Sequence, residues 1–339
     1  MDARLIRRAE AGIIYKGKEI SASLSPYLKN ITIVDNLKGS IDDLNITLRN
    51  DGYRFLQPGW SFELKDRLEI SLATVNWENE LEGKKSLKCG YFYLDDKSFN
   101  KDTVTIKGLS IPLGPIQDQK NNKHWDNVSL ETIGKEIAAK YKLKFMYLVK
   151  EKINFYSVDQ SKETDLEFLN KLASDEGINL KLTFDKLVLF DEASMEDEKT
   201  ERIIDLRGGE VIDWDIREKT KDIYDKVEIK YFDSISGEDE TYTYSERKNK
   251  NLPEKILKIT RRSASRSLEK LAKKRLKQIN QDRIILNLSI VGELALAAGK
   301  TFNLINAGIF NGKYMINKVT RTLSPFTTSI EAYYIKKED

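Results

Sequence analysis

The sequence predicts a mainly β protein with an α+β part: two antiparallel β blocks with a mixed α/β region in the middle of the chain. Three observations carry this expectation. Short stretches of apolar and polar residues in strict alternation fill residues 1 to about 112. Helical apolar spacing then takes over in the central part, and alternation returns from about 284 to the end. Alternation with a period of two between turn signals marks half-buried strands, whereas i, i+3, i+7 spacing marks one face of a helix.

In the first block, "GIIYKGKEI" places a Gly17 turn between apolar stretches. "LNITL" puts Leu44, Ile46 and Leu48 on one face, and "RLEISLATV" does the same for Leu68, Ile70 and Leu72. "DTVTIKG" repeats the pattern with Val104 and Ile106. Several such strands in so short a span suggest a barrel or a sandwich. "IPLGPIQDQKNNKHWDN" breaks the alternation, and Pro112, Gly114 and Pro115 ahead of polar residues predict a linker. The expected division is therefore a β block at 1–112, an α/β region at 113–208 partly joined by 233–283, and a second β block made of 209–232 with 284–339.

The middle region opens with a helix in which Leu130, Ile133, Ile137 and Tyr141 share a face and Ser129 caps the start. "LKFMYL" follows as a strand. "SVDQSKETDLEFLNKLASDEGINLKL" is the most structured stretch of the chain. Thr164 and Glu167 form a T-x-x-E capping box, in which each side chain satisfies an orphan N–H of the first turn. Asp165 adds negative charge at the positive end of the helix dipole. Leu166, Leu169, Leu172 and Ala173 form the buried stripe, which Phe168 widens, and Gly177 supplies the left-handed residue that stops the helix. "INLKLTF" and "KLVLFD" predict a hairpin, and "EASMEDEKTE" an exposed charged loop. A third helix is predicted from about Ser263 to Gln278, with Leu268, Leu271, Ala272, Leu276 and Ile279 on or near one face. "IILNLSI", "KTFNLI", "KYMINKVT" and "TTSIEAYYI" complete the second β block.

Composition narrows the chemistry. The 339 residues are 40% hydrophobic, with 57 Lys and Arg against 54 Asp and Glu, a net charge of +3. That balance does not call for nucleic acid or a membrane surface. No apolar run approaches the roughly 20 residues of a spanning helix. "MDARLIRRAEAGIIYKGK" lacks an apolar core, so no secretory signal is expected, and synthesis in a cytoplasm is. A single cysteine, Cys89, excludes an internal disulfide and a thiolate zinc cluster, and a single histidine, His124, excludes a two-histidine mechanism. No metal or cofactor site is expected.

Four stretches invite a chemical reading. "AAGKT" at 297–301 suggests a phosphate loop, but the glycine required five residues before Gly299 is Leu294, and a strand follows where a helix is needed. The plainer account is a Gly-Lys turn entering a strand. Asp213 and Asp215 flank Trp214, and on a strand both carboxylates share a face roughly 7 Å apart, which suits an inverting glycosidase. The plainer account is a solvated strand face. The run from Lys255 to Arg283 holds Arg261, Arg262, Arg266, Lys270, Lys273, Lys274, Arg275 and Lys277, so the basic helix 261–283 could track a phosphate backbone. The run contains no aromatic residue for base stacking, and the plainer account is the solvated face of an amphipathic helix. His124 lacks a Ser, Cys or carboxylate partner at motif spacing, and Cys89 alternates like a core strand residue.

Three stretches resemble a known family. "VDQSKETDLEFLNKLASDEGINLKL" is similar to the motif of the phage late control protein D family, the baseplate hub proteins of contractile tails, through Gln160, Thr164, Asp165, Phe168, Leu169, Leu172, Ala173 and Gly177. "VGELALAAGKTFNLINAGIFNGKYMINKVTRTLSPFTTSIEAYY" resembles that family's closing block through Gly292, Gly299, Gly308, Gly312, Tyr314 and Ile316. "PGWSFELKDRLEISL" is similar to the family's Trp-then-strand segment. The chain departs from the pattern at Arg321, where family members often carry His. The resemblance implies two tail-tube-like antiparallel β-barrel domains around a mixed α/β middle region. It implies a structural hub and no enzyme: a homotrimeric, pseudo-six-fold ring between the hexameric tail tube and the trimeric central spike. It further implies contact with the tape-measure protein end and a baseplate or LysM-type tail protein, no membrane, and DNA only as passing cargo. The place would be the tail baseplate of a virion or a phage-tail-like bacteriocin, after synthesis in the bacterial cytoplasm. In this picture the capped helix is scaffold, with no catalytic or cofactor-binding residue. The alternatives are a peptidoglycan-hydrolysing tail enzyme using Asp213 and Asp215, and a nucleic-acid-binding protein using the basic helix.

Overall fold

Alternating burial sets the first block of strands. The computed structural model describes residues 6–111, 115–233, 238–246, 255–261 and 267–336. The block comprises β1 (Arg8–Tyr15), β2 (Lys18–Glu19), a short helix α1 (Ser21–Leu24), β3 (Leu28–Asn36), β4 (Asp43–Arg49), β5 (Arg67–Val75), β6 (Lys84–Phe99) and β7 (Thr103–Leu109). Leu44, Ile46 and Leu48 of β4 face the same core as Leu68, Ile70 and Leu72 of β5 and Val104 and Ile106 of β7. Gly17, at φ +77°, turns β1 into β2.

The middle region runs through α2 (Pro115–Asp118), β8 (Lys120–Ser129), α3 (Leu130–Lys140), β9 (Lys144–Leu148), β10 (Asn154–Thr164), α4 (Asp165–Asp175), β11 (Asn179–Thr183), β12 (Lys186–Phe190) and α5 (Glu192–Glu196). β11 and β12 form the expected hairpin, and β9 joins β12 in parallel. The predicted linker is corrected in its second half. Residues 120–129 form β8, which pairs antiparallel with β10. Only Trp125, Val128 and Ser129 of β8 are buried, so the strand carries almost no apolar signal. Pro112 and Gly114 lie outside the described residues.

The remaining elements are β13 (Arg202–Asp205), β14 (Val211–Glu218), β15 (Lys226–Asp233), β16 (Glu238–Ser245), β17 (Ile256–Thr260), α6 (Leu268–Asn280), β18 (Ile284–Val291), β19 (Thr301–Ile305), β20 (Gly312–Leu323) and β21 (Phe326–Lys336). β15 pairs with β16 and β17, and its Val227 and Ile229 pack against Leu271, Ala272 and Leu276 of α6. β13 pairs in parallel with β19.

The fold is mainly β with antiparallel sheets. A sheet of 13 strands follows the path β14-β18-β21-β20-β3-β4-β7-β6-β5-β1-β2, with β19 and β13 branching from β20. The two β blocks meet inside this sheet, where Lys318–Thr322 of β20 pair with Thr32–Asn36 of β3. One sheet therefore serves two separate cores. The first holds Ile13, Phe55 and Phe92, and the second holds Phe302, Tyr314 and Ile330. A third core, around Leu130, Phe155, Phe168 and Leu187, belongs to the middle region.

The helix stop at Gly177 is as expected. Gly177 has φ +67°, its N–H donates to Ser174 O at 2.8 Å, and the N–H of Ile178 reaches back to Ala173 O at 2.9 Å. A Cβ there would also lie 3.1 Å from the Lys274 side chain. Gly177→Val is expected to cost about 1–2 kcal/mol or more, since a β-branched residue fits the left-handed region poorly. A melting temperature equal to that of the parent chain would contradict this account of the helix stop.

Candidate functional site

Four donors from three elements converge on the buried carboxylate of the motif's Asp165. Thr164 caps α4: its hydroxyl accepts the Glu167 N–H at 3.2 Å, while the Thr164 N–H donates to the Glu167 carboxylate at 3.0 Å. Asp165, the next residue, does more than load the helix dipole. Its Oδ1 accepts from Gln160 Nε2 at 2.7 Å and Asn121 Nδ2 at 3.0 Å, and its Oδ2 accepts from Lys140 Nζ and Tyr141 OH, both at 2.7 Å. The four donors come from β10, β8, α3 and the residue that ends α3. Burial pushes the carboxyl pKa up, but the hydrogen bonds from Lys140, Gln160 and Tyr141 outweigh it and hold the group below the ordinary carboxylate value. Phe168 stacks on Trp125 at 5.2 Å between ring centroids, and Leu169 and Leu172 complete the core beside it. A carboxylate fully engaged by four donors is a tie between elements and not a reactive group.

Of the closing-block residues, Tyr314 and Ile316 lie in the second core. Gly299, at φ +88°, donates its N–H to Ile316 O at 2.9 Å, and a Cβ there would sit 2.5 Å from Met195 Cε. Gly312, at φ +147°, opens β20. Tyr314 is fully buried between Phe302 and Tyr334, with its hydroxyl donating to Phe310 O at 2.8 Å, and Ile316 is buried in the same core. The Gly-Lys pair is a turn into β19, as the failed phosphate-loop spacing implied. Arg321 lies buried on β20, and its guanidinium donates to the carbonyls of Glu293, Leu294 and Leu296. It thereby fastens the loop ahead of Gly299 to the strand that joins the two β blocks.

Asp213 and Asp215 pair with Ser289 and Asn287 on β18 and line an open groove of about 250 Å³ with Lys318 and Glu331. The Asp213 carboxylate accepts the Trp214 N–H at 2.9 Å. His124 is better partnered than its sequence neighbours suggested. Its Nδ1 lies 2.6 Å from Asp159, which faces it across the β8–β10 pair, and its Nε2 lies 2.9 Å from Asp126. The Asp159 hydrogen bond, then that of Asp126, raises the imidazole pKa. Among the described residues no group of three or more His, Cys, Asp and Glu side chains is placed to hold a metal ion. Cys89 packs against the first core, and burial pushes its thiol pKa to about 11.

The basic helix is corrected in part. Arg275 is not on a solvated face: its guanidinium donates to Ser174 O at 2.7 Å, at the end of α4. Lys274 pairs with Asp191 at 2.5 Å and Lys277 with Glu196. Arg262 and Arg266 lie outside the described residues. The charged loop is corrected as well. Glu192 and Glu196 form part of α5 and are buried, paired with Lys38 and Lys277, and the Tyr333 hydroxyl donates to Glu196 at 3.3 Å. Burial raises the Glu192 pKa despite Lys38. Five acidic residues in ten read as solvent exposure in sequence, and the lysines that neutralise two of them lie far along the chain.

No family model matches the chain. It is 26% identical over 181 residues to a probable baseplate hub protein of Escherichia phage P2, a match that covers 52% of this chain and 43% of that relative. The fold is similar to that of a tail protein from Neisseria meningitidis MC58, with TM-score 0.70 and 12% identity over 96% of both chains. It is also similar to the 43 kDa tail protein of prophage MuSo2 from Shewanella oneidensis, with TM-score 0.65 and 16% identity over 95% of this chain and 97% of that one. A third likeness, with TM-score 0.57 and 14% identity over 91% of this chain and 74% of the other, is to an E. coli component of the type VI secretion system that resembles T4 bacteriophage tail proteins gp27 and gp5. By sequence the chain is thus similar, over about half its length, to a phage baseplate hub protein, and its fold is similar to that of phage tail proteins.

Proposed function

We propose that the chain is the structural hub of a contractile-tail baseplate, a homotrimeric ring that joins the hexameric tail tube to the trimeric central spike. The observation that carries this reading is the pair of β blocks with separate cores in one continuous sheet. If each block stands for one tube subunit, three chains present six blocks to the tube and three-fold symmetry to the spike. Ring closure also covers sheet edges that would otherwise be open for pairing, such as β14 and β2 at the two ends of the strand path. The tape-measure end and a LysM-type or other baseplate protein are the further neighbours of such a hub, with DNA only as cargo in the channel.

The hub reading is tested by deleting the gene from a particle-producing strain. Loss of assembled baseplates, restored by the parent chain, is expected; normal contractile particles in the deletion would overturn it. No hydrolase activity is proposed for the Asp213–Asp215 groove. Purified chain on a peptidoglycan zymogram should leave no cleared band, and clearing abolished by Asp213→Asn or Asp215→Asn would contradict this.

A further inference from the structure

Inside the chain the two β blocks are joined edge to edge, by the pairing of β20 with β3. Around that joint the sheet runs through eight strands, from β14 to β6, each antiparallel to the next. Among the described residues both ends of this run are open. β14 pairs only with β18. β6 divides its pairing: it follows β5 as far as Tyr93, and the side of residues 95–99 that faces away from β7 has no strand.

Backbone alternation identifies the free groups on each edge. The Lys219 N–H donates to Arg283 O at 2.9 Å, so the backbone groups of Trp214, Ile216 and Glu218 turn away from β18. The Trp214 N–H has no strand to meet and donates to the carboxylate of its neighbour Asp213. The Asn100 N–H donates to Thr103 O at 2.9 Å, which turns the groups of Lys97 and Phe99 away from β7. Both edges also hold apolar side chains in solvent: Ile212 and Trp214 are 54% and 50% exposed, and Phe99 is 38% exposed. Trp214 lies opposite Leu288 at the rim of the second core, and Phe99 opposite Val104 at the rim of the first. Free-standing sheets guard such edges with shortness, charge or proline, as the two-residue Lys18–Glu19 strand does at the far end of the path.

We propose that β14 of one copy pairs antiparallel with residues 95–99 of β6 in the next copy, with Asp215 opposite Ser98. This register sets Trp214 opposite Phe99 and Ile216 opposite Lys97, so the free backbone groups of the two edges meet. The two aromatic side chains then cover each other across the joint. On the polar face Arg217, which has no ion pair among the described residues, falls opposite Asp96, whose partner within the chain is an exposed Lys107 at 3.3 Å. Strand direction fits as well. β14 and β6 run in opposite senses within the eight-strand run, so a copy rotated about a ring axis presents its β14 antiparallel to its neighbour's β6. The joint between copies then repeats the kind of joint that β20 and β3 make within one chain. The pairing supplies the contact of the ring proposed above and rests on that reading for the number of copies.

The test is disulfide trapping. Asp215→Cys and Ser98→Cys are placed together in a Cys89→Ala chain, which then has no other cysteine. Opposed residues of this non-hydrogen-bonded kind lie about 4.5 Å apart at Cα, within disulfide reach. The two positions are at opposite ends of the eight-strand run, so the bond forms between chains and not within one. Mild oxidation should give a ladder of covalent dimer and trimer on a non-reducing denaturing gel, and Asp213→Cys with Ser98→Cys, out of register, should give several-fold less. In sedimentation equilibrium Trp214→Ala should raise the concentration at which the trimer dissociates by about tenfold or more, with its melting temperature checking that it is folded. A trimer that yields no cross-link, or that Trp214→Ala leaves unchanged, overturns the edge pairing while the hub reading stands. A covalent dimer from Asp215→Cys alone overturns it too, since β14 would then meet β14. A chain that stays monomeric also overturns the pairing, and the hub reading is then decided by the gene deletion.

Discussion

Asp165→Ala is expected to lower the stability of the middle region by about 3 kcal/mol, because it leaves four donors around an empty position and at least one of them, Gln160, is buried. Asp165→Asn keeps the shape but places an NH₂ group among donors, and about 2 kcal/mol is expected. The two variants also separate charge from shape through pH. The Asp165 pKa is lowered in the folded chain, so its stabilising contribution is fully present above the unfolded carboxylate value, near 4. That contribution is lost as pH falls through the lower folded value. The gap between the parent chain and Asp165→Asn should hold steady from neutral pH down to about pH 5 and close progressively below about pH 4. Urea unfolding midpoints at a series of pH values measure it, and equal midpoints at neutral pH would refute the node.

Gly90→Val should be at least as damaging, at about 4 kcal/mol. Gly90 sits where β6 slips register against β5, with Cys89 as the extra residue opposite Ile70 and Ser71. Its φ is +99°, which L side chains rarely adopt, and a Cβ there would lie 2.0 Å from the Phe184 ring. Phe184, at the tip of the β11–β12 hairpin, also packs edge-on against Phe92 of β6, at 6.2 Å between centroids. The glycine is thus the space through which the middle region grips the first β block. Gly90→Ala should lose part of its cost in a Phe184→Ala background, where the collision is gone and backbone strain remains. The same penalty in both backgrounds would contradict the packing account.

What was legible in the sequence follows from distance along the chain. Leu44, Ile46 and Leu48 announce their strand because the two-residue period is local, and the Thr164–Glu167 box announces its helix for the same reason. β8 was hidden because its solvent face is polar from Lys120 to Asn127 and only Trp125 and Val128 mark the buried face. The motif residues were visible individually, but the donors that converge on Asp165 were not, since three of the four lie outside the motif. Asn121 and Lys140 lie 44 and 25 positions away from it in sequence, and neither belongs to a spacing rule. Glu192 and Glu196 misled for a related reason: acidic density suggests water, yet Lys38 and Lys277 make burial tolerable. Of the two carboxylates on His124, Asp126 is two residues away in sequence, whereas Asp159 reaches it only through the β8–β10 register. Pairing of β20 with β3, which unites the two β blocks, joins segments nearly 300 residues apart and no local pattern signals it.

The copy number and symmetry of this chain in the assembled tail test the account most directly. Cryo-electron microscopy of the baseplate should find three copies in a closed ring, their six β blocks in pseudo-six-fold register with the tube above and three-fold register with the spike below. A ring of six chains, a single copy, or three copies whose two β blocks do not alternate around the axis would contradict it.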